Sequence, residues 1–540
     1  MAKSISVLEE VVDQGEEENG SIEFKKRLRE DVHLQDGKFE SLTAQLRHRI
    51  LSGDGEATYV IGVTDDGGID GVPSDQFSES LDVLSLICEE ADAHIANVDT
   101  WGVEEDRLVG LVTVKEGSLI DVDEDHIVIG TAGHVDHGKS TLIGSLITGQ
   151  ADNGAGEMRE YLDTRPHEVE RGLSATLSHA VYGFDESGDP MYMDDPLRET
   201  EQASVVEGAD RLVSFVDTVG HEPWLRTTIR GLVGQRLDYG LLTVAADDGP
   251  TQKTREHLGI LLATELPTIV AITKSDIVDD DRVEMVQRTV ERHLRDVGKT
   301  PLRVETYGTA QAVEEMSEDV VPIIVTSAVT RNGLDELNTM FQKLPKRKTE
   351  SAAGDFKMYV DRVYEVTGVG AVVSGSIKSG TVNTDDSLLI GPFKDGSFRE
   401  VEARSIEFHH YRVDEAKAGQ IVGINLTGVS ADELDTHGGR GMVLLDPDTD
   451  PEPVWSFEAE LMVLNHPTSI KDGYEPVVHL ETLSETARIY PEDEENLLPG
   501  DTGKATVEFK FNPCYVEEGQ KFIFREGKAK GVGTVVNVEP

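Results

Sequence analysis

Eight consecutive residues, Gly133-His134-Val135-Asp136-His137-Gly138-Lys139-Ser140, carry the most explicit chemistry in the chain. Two glycines spaced by four residues and followed by Lys-Ser let backbone N–H groups curl around phosphate oxygens. Lys139 then reaches the β and γ oxygens and Ser140 offers its hydroxyl to Mg²⁺. Thr141 continues into a helix whose amino end favours anions. The loop follows an apolar run and opens a helical pattern, which is the setting a phosphate cradle requires.

Base identity comes from further along. Thr273-Lys274-Ser275-Asp276 ends another apolar run. A carboxylate there accepts from both the ring N–H and the exocyclic amine of guanine, a pair that adenine lacks. Lys274 lies along the base plane, and Ser327 and Ala328 of Thr326-Ser327-Ala328 bring a backbone N–H to the guanine carbonyl. Alone, Lys-x-Asp after a strand is usually a helix-capping turn; its order after the phosphate loop selects GTP and GDP. Asp217-Thr218-Val219-Gly220-His221 follows a third apolar run. Asp217 falls where an acid holds Mg²⁺ through water, and Gly220 where a backbone N–H approaches the γ-phosphate. A lone histidine is more often a satisfied surface residue than a catalyst, but His221 flanks the γ-phosphate.

Buried strands alternating with helical patterns must position these groups. Residues 127–130, 212–216, 241–246, 268–272 and 323–325 read as strands, and 141–148, 252–264 and 282–295 as helices. That alternation predicts a P-loop α/β domain with a mostly parallel sheet. Residues 185–210 read as a polar excursion between strands. Before this domain, a strand near 57–63, a turn at Asp65-Asp66-Gly67-Gly68, a helical face of Leu81, Leu84, Cys88 and Ala91, and strands near 94–98 and 108–114 predict a small α+β domain. After it, short strands and glycine turns predict two antiparallel β-barrels, divided at Asp446-Pro447-Asp448-Thr449-Asp450-Pro451. The expected domains are therefore 1–124, 125–348, 354–448 and 452–540.

The chain has 540 residues, enough for several cores, and its 103 acids against 50 bases give a net charge of −53. The acids are spread along all segments, which reads as whole-surface adaptation to a salt-rich, halophilic cytoplasm, where self-repulsion is screened. Such screening leaves room for a local basic patch to meet RNA. No stretch approaches a membrane span and the acidic start is unlike a signal peptide, so a cytoplasmic location with no membrane partner is expected. Cys88 and Cys514, far apart, suit neither a disulfide framework nor a zinc knuckle.

Taken together, GHVDHGKST, DTVGH, TKSD and TSA resemble the translational GTPases of the elongation factor Tu and elongation factor 1-alpha class. Val366-Thr367-Gly368-Val369-Gly370-Ala371-Val372-Val373-Ser374-Gly375 is similar to that class's second-domain barrel, and Phe524-Arg525-Glu526-Gly527 to its third. Within the class, Gly53-Asp54-Gly55-Glu56-Ala57 and the run Gly220-His221-Glu222-Pro223-Trp224-Leu225-Arg226-Thr227-Thr228 resemble the GTP-binding protein 1 family, which also carries an N-terminal extension. The resemblance implies GTP hydrolysis with Mg²⁺. His221 would orient the attacking water when the ribosome pushes it past a gate of Val135 and Leu173. It also implies a first-switch hydroxyl on the metal, for which Ser174 and Thr176 compete. Val219 stands where the class has proline, and Thr273 where it has the asparagine that braces the P-loop.

The implied partners are the ribosome and tRNA or another RNA, with a protein partner for the N-terminal domain. Two rival outputs fit the same architecture: control of RNA turnover or ribosome rescue, and the GTPase subunit of sulfate adenylyltransferase. His409 and His410, adjacent and without acidic or cysteine partners at ligand spacing, read as structural strand residues. Lys521, Arg525, Lys528 and Lys530, interleaved with Phe522 and Phe524, read as a solvated barrel edge or, given the family, an RNA-facing patch. No arginine adjoins the P-loop or Asp217, so activation in trans is expected.

Overall fold

The computed structural model describes residues 8, 11–12, 15, 20–117, 125–162, 178–218, 237–347, 354–366, 370–434, 441–492, 496–526 and 529–539, apart from 36, 54, 65–66, 92, 105–106, 264, 316 and 318.

The N-terminal region is a mixed sheet backed by two helices. Strand Arg107–Glu116 is its spine: Ala93–Glu104 runs antiparallel along one edge, Glu56–Ile61 and then Val72–Pro73 along the other, and Ile22–Lys25 adds in parallel to Glu56–Ile61. Helix Lys38–Ser52 buries Leu42, Leu46 and Ile50, one stripe at i, i+4, i+8, against this sheet. Ser74–Glu90 adds Phe77, Leu81, Leu84 and Cys88 to the same core. Glu23, 1% exposed, is paired with Arg49, itself 4% exposed. Lys25 also pairs with Glu23, so it is removal of Glu23 that would cost most, taking the carboxylate from the buried Arg49.

The central sheet has eight strands in the order Thr300–Val304, Val320–Val325, Thr268–Thr273, Tyr239–Ala245, His126–Gly133, Arg211–Asp217, Ser178–Phe184 and Pro190–Met191. The first six are parallel and the last two antiparallel to their neighbours. His126–Gly133, Arg211–Asp217, Tyr239–Ala245 and Thr268–Thr273 are buried at every position, as strands covered by helices on both faces must be. Their unbroken apolar runs follow from that. The stretch read as a polar excursion departs from expectation. It contains the edge strand Pro190–Met191 and the helix Glu199–Gly208, whose Ala203, Val205 and Val206 are buried. Acids on its outer face mask that apolar stripe in the sequence.

Two six-stranded antiparallel barrels follow. In the first, Ser387–Gly391, Val443–Leu445, Lys357–Val366, Gly370–Ser379, Ile421–Thr427 and Arg399–Phe408 pair in turn, and Ser387–Gly391 closes on Arg399–Phe408. The second closes through Ser456–Asn465, Thr502–Phe509, Leu483–Pro491, Val477–Leu480, Lys521–Glu526 and Ala529–Glu539. Phe457, Phe509, Phe522 and Phe524 fill its interior.

The units touch at specific pairs. The first barrel's Arg404 meets Asp82 and Ser78 of the N-terminal region, and its Tyr411 hydroxyl lies 3.4 Å from His94 Nε2. Lys115 of the N-terminal region pairs with Glu207 of the central sheet's helix. His409 and His410 are not strand residues. They form the two-residue turn between Arg399–Phe408 and Tyr411–Val413, with φ of 46° and 65°, the left-handed pair such hairpins use. His409 thereby reaches the central sheet, its Nε2 2.7 Å from Ser214 Oγ, which in turn lies 2.8 Å from His126 Nε2. Burial holds His409 well below the usual imidazole range and His126 down to about 3. Both rings are therefore neutral. The basic cluster is likewise engaged within the protein: Lys521 pairs with Glu265 at 2.9 Å and Lys530 with Glu256 at 3.4 Å, both on the central domain, while Phe522 and Phe524 point into the barrel core. Lys528 lies outside the described residues.

Candidate functional site

Strand His126–Gly133 ends at the C-terminal edge of the sheet, where open α/β folds place their ligands. From there the chain turns tightly into the helix Lys139–Thr148. Gly133 has φ 147° and sits against Thr243, where a Cβ would fall 2.3 Å from its Oγ1. Gly138 has φ 76° and Asp136 φ 59°. These left-handed turns expose successive N–H groups to one side, making an anion nest.

Several contacts hold the loop open. Gly133 N–H donates to His257 Nδ1 at 2.9 Å, and Thr273 Oγ1 donates to the His137 carbonyl at 2.8 Å. A threonine hydroxyl thus gives the loop a brace from the position where the resemblance leads one to expect asparagine. His137, 1% exposed, has its ring nitrogens 3.3 Å from the Thr243 carbonyl and 3.2 Å from the Asp248 carboxylate. Lys139 Nζ lies 3.1 Å from the His134 carbonyl and 3.4 Å from that of Gly133, folded across the mouth of the nest.

Asp217 is 1% exposed and tightly bound. Its carboxylate accepts from Ser140 Oγ and from Thr131 Oγ1, each at 2.6 Å, and Thr131 Oγ1 in turn accepts from Thr218 N–H at 2.9 Å. Burial raises the Asp217 carboxyl above the usual range, against the pull of Lys139 and the two hydroxyls. A buried carboxyl beside a serine hydroxyl is poised for a cation. No group of three or more carboxylate, histidine or cysteine ligands occurs among the described residues, and the oxygens of Ser140 and Asp217 are of the kind Mg²⁺ prefers.

The far wall is formed by the ends of two strands. Lys274 takes a left-handed φ of 57° and turns the chain into Ser275–Ile277. Ser327 Oγ donates to Asp276 Oδ1 at 2.6 Å, and Ser275 Oγ to the Thr326 carbonyl at 3.1 Å. The two motifs, fifty residues apart in sequence, thus lock together. Between them and the phosphate nest lies a cleft of about 390 Å³, lined by Val135, Asp136, Gly138, Lys139, Ser140 and Thr141 on one side and Thr273, Lys274, Asp276 and Ala328 on the other.

The structure therefore gathers Val135, Asp136, Gly138 to Thr141, Thr273, Lys274, Asp276 and Ala328 around one cleft, with Asp217 bonded to Ser140 and Ser327 to Asp276 just behind its walls and Gly133, His134 and His137 outside the lining. Gly220, His221, Leu173, Ser174 and Thr176 lie outside the described residues. Sequence reasoning missed Thr131, His257 and the loop 152–159. A threonine in a buried strand and a histidine in a helix give no signal by spacing, whereas Asp152-Asn153-Gly154-Ala155-Gly156 is a legible turn without a legible purpose.

The family profile of the elongation factor Tu GTP binding domain matches residues 124–346, that of elongation factor Tu domain 2 residues 370–444, and that of the elongation factor Tu C-terminal domain residues 450–539. The chain is 32% identical to GTP-binding protein 1 of Xenopus laevis over 512 residues, covering 93% of this chain and 76% of the relative. It is 33% identical to human GTP-binding protein 2 over 545 residues, covering 97% and 88%. Two solved structures share the fold. A bacterial selenocysteine-specific elongation factor, EF-Sec, superposes with a TM-score of 0.56 at 24% identity over 76% of this chain and 58% of its own. The elongation factor SelB from Methanococcus maripaludis, bound to the GTP analogue GppNHp, gives 0.55 at 22% identity over 78% and 81%. The chain therefore belongs to the elongation factor Tu type of translational GTPases, in one family with GTP-binding proteins 1 and 2.

Proposed function

We propose that the chain is a GTP-driven switch that acts on the ribosome with tRNA or another RNA in the cytoplasm. The observation that carries the nucleotide chemistry is the convergence of the phosphate nest, the Ser140–Asp217 pair and the Asp276–Ser327 pair on one cleft. Asp276 would accept from the guanine edge, with Lys274 along the ring and Ala328 N–H at the carbonyl. Ser140 and, through water, Asp217 would hold Mg²⁺, with Ser174 or Thr176 joining when GTP is bound. That ion supplies positive charge against the β- and γ-phosphate oxygens.

Hydrolysis is in-line attack of water on the γ-phosphorus. A new O–P bond forms as the bond to the bridging β–γ oxygen breaks, and the water's proton leaves with inorganic phosphate. Lys139 and the nest N–H groups neutralise charge that builds on the phosphate oxygens. His221, four residues past Asp217, would orient the water, as the family resemblance implies. Without an activator, turnover is expected on the order of 10⁻⁴ to 10⁻² per second.

The test is GTP turnover in molar KCl with and without ribosomes from the same cell. Strong stimulation that His221→Ala abolishes supports the ribosomal role. A rate indifferent to ribosomes refutes it, and copurification with an adenylyltransferase or with RNA-turnover factors would then decide between the other outputs.

A further inference from the structure

The cleft has a third wall. Residues 152–159 leave the helix Lys139–Thr148 and cross between the phosphate nest and the guanine motifs. Asp152, 6% exposed, pins both ends of the crossing. Its N–H donates to the Ala328 carbonyl at 3.0 Å, and its carboxylate accepts from the N–H groups of Gly154 at 2.7 Å, Gly156 at 3.1 Å and Met158 at 3.1 Å. Buried Met158 closes against Gly144 of the helix, where a Cβ would fall 1.9 Å from the Met158 carbonyl oxygen. The loop is thus fastened to both halves of the cleft, and it carries Arg159 in the short 3-10 turn Glu157–Tyr161. The Arg159 side chain folds over Gly156, which has φ 84°, with Cδ and Nε at van der Waals distance from where a Cβ would stand, and it lines the cleft.

Three cations line the cleft among the described residues: Lys139, Lys274 and Arg159. Lys139 belongs to the β- and γ-phosphate end and Lys274 to the base. With guanine at Asp276 and the terminal phosphates in the nest, the stretch facing residues 152–159 is the ribose and the inner phosphates. The Asp152 carboxylate is turned onto three N–H groups of its own loop, and Arg159 is the cation that this wall brings to the cleft. We propose that Arg159 is a phosphate-binding residue, its planar guanidinium gripping the α- and β-phosphates that GDP and GTP share. This rests on the assignment of the cleft to a guanine nucleotide. Because the contact is made in both nucleotide states, it sets how long GDP and GTP alike stay bound.

The experiment uses the full chain in molar KCl, with fluorescent GDP for dissociation rates and competition by GTP and by guanosine. Arg159→Ala and Arg159→Gln are expected to speed GDP release by about ten- to a hundred-fold and to weaken GDP and GTP alike, the span of one charge-assisted bond. Arg159→Lys should recover part of the loss. Guanosine affinity should stay within about twofold. A GDP release rate unchanged in Arg159→Gln overturns the proposal, as does an equal loss for guanosine and GDP, which would make Arg159 a mere prop for the loop. If the unaltered chain binds no GDP while Lys139→Ala changes nothing, the nucleotide assignment itself fails, a different result from either.

Discussion

Protonation of His257 should undo the phosphate nest. The ring is 2% exposed and its Nδ1 accepts the Gly133 N–H, so the folded protein needs that nitrogen bare. Burial, helped by Lys139, depresses the imidazole to about 3, against an ordinary 6.5. A base whose folded value is depressed binds fewer protons folded than unfolded, so its contribution to stability is intact above about pH 6.5 and is lost as pH falls towards 3. At pH 5 the loss is 1.5 units of 1.36 kcal/mol, about 2 kcal/mol from this one residue, a sizeable share of a domain's net stability. Other groups titrate over the same range, so the informative quantity is a difference between two chains. His257→Gln keeps an acceptor for Gly133 and cannot be protonated. Denaturant unfolding at pH 7.5 and pH 5.0 in molar KCl should show the unaltered chain losing about 2 kcal/mol more than the variant, and its GDP affinity should fall more steeply with acid. Parallel pH profiles for the two chains would refute the reasoning.

Thr273→Val removes the hydroxyl that braces the His137 carbonyl while keeping its shape. It should cost about 1–3 kcal/mol and speed GDP release, with Thr273→Asn restoring most of both, as melting curves and stopped-flow release would show. Asp217 is a buried acid with a raised pKa, so ionising it penalises the fold at neutral pH and the penalty fades as pH falls through the folded value. Asp217→Asn should therefore leave the nucleotide-free melting temperature equal or higher, yet weaken Mg²⁺-dependent GTP affinity at least about tenfold; a destabilised nucleotide-free chain would contradict this. With a net charge of −53, melting temperature should climb between about 0.1 and 1 M KCl as the Debye length shrinks from about 10 to about 3 Å, and a flat salt profile would remove self-repulsion as a factor.

The central sheet was legible because strands buried on both faces print as unbroken apolar runs, and the cleft because its motifs each end such a run. What escaped has physical causes. The helix Glu199–Gly208 hides three buried residues among acids that serve solubility. The helix Lys38–Ser52 has a clean i, i+4, i+8 stripe that periodicity could have found. His409 was misjudged because strand alternation was assumed at a position where both residues take positive φ, and no local pattern announces a turn whose purpose is to touch another domain. Thr131 and His257 matter through partners 86 and 124 residues away, and Arg159 through a shared cavity, and single-sequence spacing cannot encode such meetings.

The contacts among the N-terminal region, the central domain and the first barrel close a loop: Lys115 to Glu207, His409 to Ser214, Arg404 to Asp82. Three bodies joined pairwise form a truss, and a truss has no soft hinge. Swinging the barrel away from the GTPase sheet breaks the histidine link and also forces the N-terminal body to let go of one neighbour or the other. Any force that parts one pair of these bodies is thus shared between joints rather than borne by one.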